Sequence, residues 1–63
     1  MRKPLSARQA EIIRLIAHGK NDKEIADELT ISARTVRHHI YATLCKLRAS
    51  NRANAVFLFL KRQ

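Results

Sequence analysis

The chain has 63 residues, enough for one small domain with a modest core. Its apolar share of 46% excludes a disordered tail, and its single glycine and single proline with no β-type alternation point to helices. Thirteen Lys and Arg against five Asp and Glu give a net charge of +8, which points to a polyanionic partner. No apolar run approaches the ~20 residues of a membrane span. No secretory leader is apparent, because Met1 is followed at once by a polar, capped helix pattern. The lone Cys45 has no internal disulfide partner, so a reducing cytoplasm is the expected compartment.

In chain order, the first helix is expected over 7–18. Ser6 and Gln9 make a capping box at its start, Ile12, Ile13 and Ile16 form its apolar stripe, and Gly19 stops it. The second helix spans 22–29, with Asn21 and Glu24 as its capping pair and Ile25, Ala26 and Leu29 buried. Asp22 and Glu24 stand at its N-terminus, where they complement the helix dipole. Thr30 and Ile31 turn the chain, and Ser32 caps a third helix over 33–48 with Val36, Ile40, Leu44 and Leu47 inward. Asn51 caps a fourth helix over 52–62. The expectation is an all-α, four-helix domain covering 1–63, in which the short second turn makes a helix-turn-helix.

Charge follows this order. All five acids lie between Glu11 and Glu28, and from Leu29 onward there are seven basic residues and no acid. On a helical wheel Arg34, Arg37, His38, Tyr41, Cys45 and Arg48 recur opposite the apolar side of the third helix. A basic stripe on an exposed helix fits the DNA major groove, where arginine grips guanine and the positive face meets phosphates. A solvated charged face explains a net charge but not the disappearance of acids after residue 28.

Other chemistry finds little support. His38, His39 and Cys45 do not converge as a zinc site requires, since adjacent residues on a helix point ~100° apart. His39 lies between stripe and core and is expected to pack and hydrogen-bond. Cys45 is a small filler beside the exposed face. Glu24, Asp27 and Glu28 share helical spacing, but no nucleophile, histidine or glycine-rich loop completes a catalytic site. No enzyme activity, no metal and no cofactor is expected.

The run "LSARQAEIIRLIAHGK", then "NDKEIADELTISARTVRHHI", then "CKLRASNRANAV", closely resembles the LuxR-type (GerE-like) helix-turn-helix domain of bacterial transcription regulators. The resemblance covers nearly the whole chain. It rests on Leu5-Ser6 with Arg8, Gly19, Lys23-Glu24-Ile25-Ala26, Leu29, Ile31-Ser32, Thr35-Val36-Arg37, His39, Lys46-Leu47, Arg52 and Ala55-Val56 in order. It implies sequence-specific binding of double-stranded DNA in the cytoplasm, at the nucleoid, with the third helix in the major groove. It also implies a homodimer on a two-fold site, paired through the fourth helix, with RNA polymerase as a further partner. Arg37, His38 and Tyr41 fall at base-facing positions. Lys23, Thr35 and Lys46 fall at phosphate-facing positions, and the charges of Arg34 and Arg52 join them. Four residues depart from the pattern. Gln9 replaces a usual Glu and so removes a salt bridge. Thr43 replaces an aliphatic residue, and Arg48-Ala49 replaces Gly-Val, so the core under the third helix is expected to be less well filled.

The fourth helix carries apolar residues around roughly 200° of its circumference, where packing on a core needs about 100° or a little more. Ala55, Val56 and Phe59 are expected to close the core behind Ile16 and Ile40. The other edge is expected to be the dimer contact, formed by Ala53, Phe57 and Leu60 with Val56 at its margin. Two alternatives stand against DNA binding. One is a protein-interaction module resembling a sigma-factor region that works against polymerase. The other is a basic amphipathic binder of membrane surfaces through "RANAVFLFLKRQ".

Overall fold

A computed structural model describes residues 4–61 and shows four helices: α1 (Ala7–Ala17), α2 (Asp22–Leu29), α3 (Ala33–Leu47) and α4 (Arg52–Lys61). No strand occurs among the described residues. The last residue of the expected fourth helix, Arg62, lies outside them.

The starts of the helices are fixed by side chains. Ser6 Oγ accepts from Gln9 N while Gln9 Oε1 accepts from Ser6 N, and Asn21 and Glu24 do the same at 2.8 and 2.9 Å. These reciprocal bonds satisfy amides that a helix start leaves unpaired. Ser32 Oγ accepts from Thr35 N, and Asn51 Oδ1 accepts from Asn54 N.

The ends share one device. Gly19, Thr30 and Arg48 all have positive φ. In each case the following amide bonds back five residues: Lys20 to Leu15, Ile31 to Ala26 and Ala49 to Leu44. This closes the Schellman pattern, and half-buried Ile31 and Ala49 then drop onto the core. The first helix therefore ends at Ala17 rather than residue 18, with His18 as its cap. Arg48 is not the last residue of α3, as the stripe pattern predicts, but its left-handed cap.

The helix α3 packs on all three others, and α1 packs on α2, α3 and α4. The core has two lobes. Ile12, Ile25, Ala26, Val36 and Ile40 form one beneath the helix-turn-helix. Ile13, Leu47, Ala55 and Phe59 form the other beneath α4. The neighbours Ile12 and Ile13 point ~100° apart and so serve different lobes. This corrects the expected seat of α4: its buried edge closes on Ile13 and Leu47, because Ile16 and Ile40 are already covered from the α2 side. Leu44 bridges the two lobes.

The core under α3 is not left open by Thr43. That side chain is buried, and its hydroxyl donates to His39 O at 2.7 Å, four residues back. No buried side-chain polar atom lacks a partner among the described residues.

Candidate nucleic-acid interface

A 15-residue α3 can present one unbroken face only if its other face is fully engaged, and Val36, Ile40, Thr43 and Leu47 engage it. Arg34, Thr35, Arg37, His38, Tyr41, Cys45 and Arg48 all stand exposed. Tyr41 reaches 73% exposure, high for a large aromatic side chain. His39 is half-buried between face and core, and its carbonyl is the acceptor for Thr43.

Thr35 is poised as a donor. Its Oγ1 accepts from Ser32 Oγ at 2.9 Å, which leaves its own hydroxyl proton free to point outward. Lys23 is exposed on the first turn of α2. Lys46 is half-buried. Its ammonium donates to Gln9 Oε1 at 2.9 Å and to Pro4 O at 3.3 Å, leaving one of three donors for solvent or a ligand. The Gln9 side chain thus still meets Lys46, but as a neutral acceptor that leaves the lysine charge uncancelled.

Arg52, at the start of α4, donates both terminal nitrogens to Asp22, at 2.5 and 3.0 Å, in a fork-to-fork pair. Arg37 Nη1 lies 3.9 Å from Asp22 Oδ2. The Arg52 hydrogen bond is the largest cause holding the Asp22 carboxyl below its ordinary value of 3.8, against opposition from burial. Arg37 and Arg52 together flank an open cleft of about 330 Å³ floored by Ile40, Leu44 and Tyr41. Sequence reading assigned Asp22 only a dipole role. Its partner is thirty residues away in sequence, so no helical spacing connects them.

Three of the remaining four acids are engaged elsewhere, and Asp27 stands exposed on α2. Glu11 pairs with Arg8 at 3.2 Å and Glu28 with Lys20 at 3.6 Å, while Glu24 caps its own helix. Among the described residues, Asp22 is the one acid that meets the α3 stripe. On α4, Phe57 and Leu60 are 60% and 55% exposed, Ala53 is exposed, and Val56 is half-buried at the margin of the core. No helix among the described residues is long and apolar enough to cross a membrane.

A four-helix unit with a three-residue turn before an exposed basic helix is a helix-turn-helix domain. The family model for bacterial regulatory proteins of the luxR family matches residues 3–59, and the chain belongs to that family of DNA-binding transcription regulators. It is 49% identical over 53 residues to the transcriptional regulatory protein DesR of Bacillus subtilis (strain 168), covering 84% of this chain and 27% of DesR. It is 43% identical over 57 residues to the spore germination protein GerE of the same organism, covering 90% of this chain and 77% of GerE. The crystal structure of the response regulator ChrA from a heme-sensing two-component system superposes with a TM-score of 0.91 at 32% identity. That match covers 98% of this chain and 31% of ChrA.

Proposed function

We propose that this domain binds double-stranded DNA sequence-specifically as part of a bacterial transcription regulator, with α3 in the major groove. The observation that carries the reading is the acid-free, solvent-facing stripe of α3, backed along its length by a packed core. Arg37, His38 and Tyr41 lie along the middle of that stripe and read base edges. Arginine supplies two parallel donors to guanine O6 and N7. Lys23, Arg34, Thr35, Lys46 and Arg52 flank them and meet phosphates, Lys46 and Arg52 with the donors that Gln9, Pro4 and Asp22 leave unspent.

Residues 1–63 act as one domain. Two copies pair through Ala53, Val56, Phe57 and Leu60 of α4, placing two reading helices ~34 Å apart on successive turns of a two-fold site. RNA polymerase is a further partner of the bound regulator, and the nucleoid is its location.

The test is a titration of a duplex obtained by selection from a random DNA pool, repeated across salt concentrations. A dimer that neutralises ~6–8 phosphates gives a log–log slope of about −5 to −7. Arg37→Ala should weaken selected DNA by about 1–3 kcal/mol and random DNA far less. Lys46→Ala should weaken both alike, because phosphates carry no sequence. A slope near zero, or binding to anionic vesicles in preference to DNA at matched salt, refutes the proposal.

A further inference from the structure

The geometry points to Asp22 as a positioning residue for Arg37, a carboxylate that steers the reading guanidinium toward base edges and away from phosphates. This rests on the reading of α3 as the DNA-reading helix. Asp22 is the first residue of α2, and its side chain is 20% exposed. One oxygen, Oδ2, accepts from Arg52 at 3.0 Å and lies 3.9 Å from Arg37. Two guanidinium groups from different helices therefore share one carboxylate. Among the described residues α2 and α4 do not pack on one another, so this shared carboxylate ties them across the face of α3.

A free guanidinium in a protein–DNA interface has two kinds of acceptor. Phosphate oxygens are charged and present at every step, whereas guanine O6 and N7 are neutral and present only at the right base. A carboxylate held 3.9 Å from the guanidinium repels an approaching phosphate. It imposes little penalty on a neutral base edge. Its charge also brings the local sum of Arg37 and Arg52 from +2 to +1. The first effect weakens binding to arbitrary DNA more than binding to the cognate base; the second weakens both alike. The position of Asp22 beside Arg37 is thus a selectivity device that lowers general affinity.

The test substitutes Asp22→Asn, which keeps the shape and the acceptor oxygen and removes the charge. Binding to a selected duplex and to a random duplex is measured across salt concentrations, beside circular dichroism. The expected result is tighter binding to random DNA and a salt slope steeper by about one per subunit. The selected-to-random ratio should fall on the order of tenfold, within the discrimination of one bidentate base contact. In an Arg37→Ala background the same change should leave the ratio unmoved, though freed Arg52 still tightens both. Asp27→Asn, an equal charge change at an exposed position of α2, should leave the ratio unchanged. Arg52→Gln removes the fork from the other side without touching Asp22. It should lower affinity for both duplexes and keep the ratio, and a lowered ratio there counts against the inference even if Asp22→Asn loses helicity. The inference is overturned by an unchanged ratio in Asp22→Asn, by an equal fall in the Arg37→Ala background or in Asp27→Asn, or by a lowered ratio in Arg52→Gln. A parent domain that does not discriminate between the duplexes refutes the reading of α3 itself, and this inference falls with it.

Discussion

Beneath the helix-turn-helix, Ile12, Ile25, Ala26, Val36 and Ile40 close on one another, each 5% exposed or less. Beneath α4, Ala55 and Phe59 close on Ile13 and Leu47, but the same helix leaves Phe57 and Leu60 more than half exposed. The first lobe is sealed on both sides by helices of one chain. The second is closed as well, but α4 closes it with one edge and leaves its other edge exposed. The lobe that backs α3 therefore has only to hold a face rigid, while α4 has apolar surface left over once its packing role is met.

The widest separation should come from truncating one residue in each setting. Ile25→Ala and Phe59→Ala both open buried cavities and should each cost roughly 2–5 kcal/mol in denaturant unfolding. Phe57→Ala removes the same ring as Phe59→Ala from the same helix, yet should stay within about 0.5 kcal/mol, as exposed sites do. A large loss at Phe57 would mean that α4 has no spare edge.

Next in size is the effect of charging that edge. Leu60→Asp or Phe57→Asp should leave the helical circular dichroism in place and abolish cooperative binding to a duplex with two half-sites. Binding to one half-site should persist. The interface offered is small, so pairing is expected to be weak in free solution and driven by DNA. Retained cooperativity would move the dimer surface elsewhere, and unfolding would assign these side chains to the core.

How far the sequence revealed these two lobes depends on the reach of its signals. Local ones were read correctly: the boxes Ser6–Gln9 and Asn21–Glu24, the Asn51 cap and the Gly19 stop all act within five residues. The exposure of the α3 stripe was equally legible, since one periodicity generates it. What failed was placement between helices. The wheel of α4 gave a buried edge of the right composition but not its seat, because Ile12 and Ile13 look alike in sequence and face different lobes. Thr43 read as a gap, since its bond to the His39 carbonyl cannot be told from composition. The bridge from Asp22 to Arg52 and Arg37 was missed for the same reason: nothing local distinguishes it from an acid complementing a helix dipole.

That bridge makes the tie between α2 and α4 sensitive to acid. The folded-state carboxyl of Asp22 lies below its ordinary value of 3.8, chiefly through the Arg52 hydrogen bond, with the charges of Arg52 and Arg37 adding to it. A depressed carboxyl stabilises the fold fully above its unfolded value, and that contribution is lost as pH falls through the folded value. Stability should therefore decline as pH drops below about 4. Asp22→Asn should be less stable than the parent near neutrality and should converge with it in acid. Parallel curves for the two across that range would show that the pair contributes nothing to folding.

The smallest effects belong to the helix ends, where both lobes are closed by the same turn with different residues in it. Gly19 has φ 89° and open space where a Cβ would stand, so glycine is there for its backbone freedom alone. Thr30 and Arg48 adopt φ 58° and 55° with side chains attached. A left-handed L-residue costs roughly 1–2 kcal/mol, and a β-branched one is the more unusual. Glycine would relieve that strain but would add about 0.5–1 kcal/mol of unfolded-state entropy to be overcome. The net gain should be about 0.5–1 kcal/mol for Thr30→Gly, and a little less for Arg48→Gly. Thr30 closes the helix-turn-helix lobe and Arg48 the α4 lobe, so the two substitutions probe both regions without touching either core. Thermal unfolding should show both midpoints shifted upward by a few degrees, with Thr30→Gly ahead. Arg48→Gly should also weaken general DNA affinity slightly, having removed one cation from the exposed end of the stripe, while Thr30→Gly should leave it unchanged. A fall in either midpoint would mean that the side chain at that turn contributes more than its backbone strain costs.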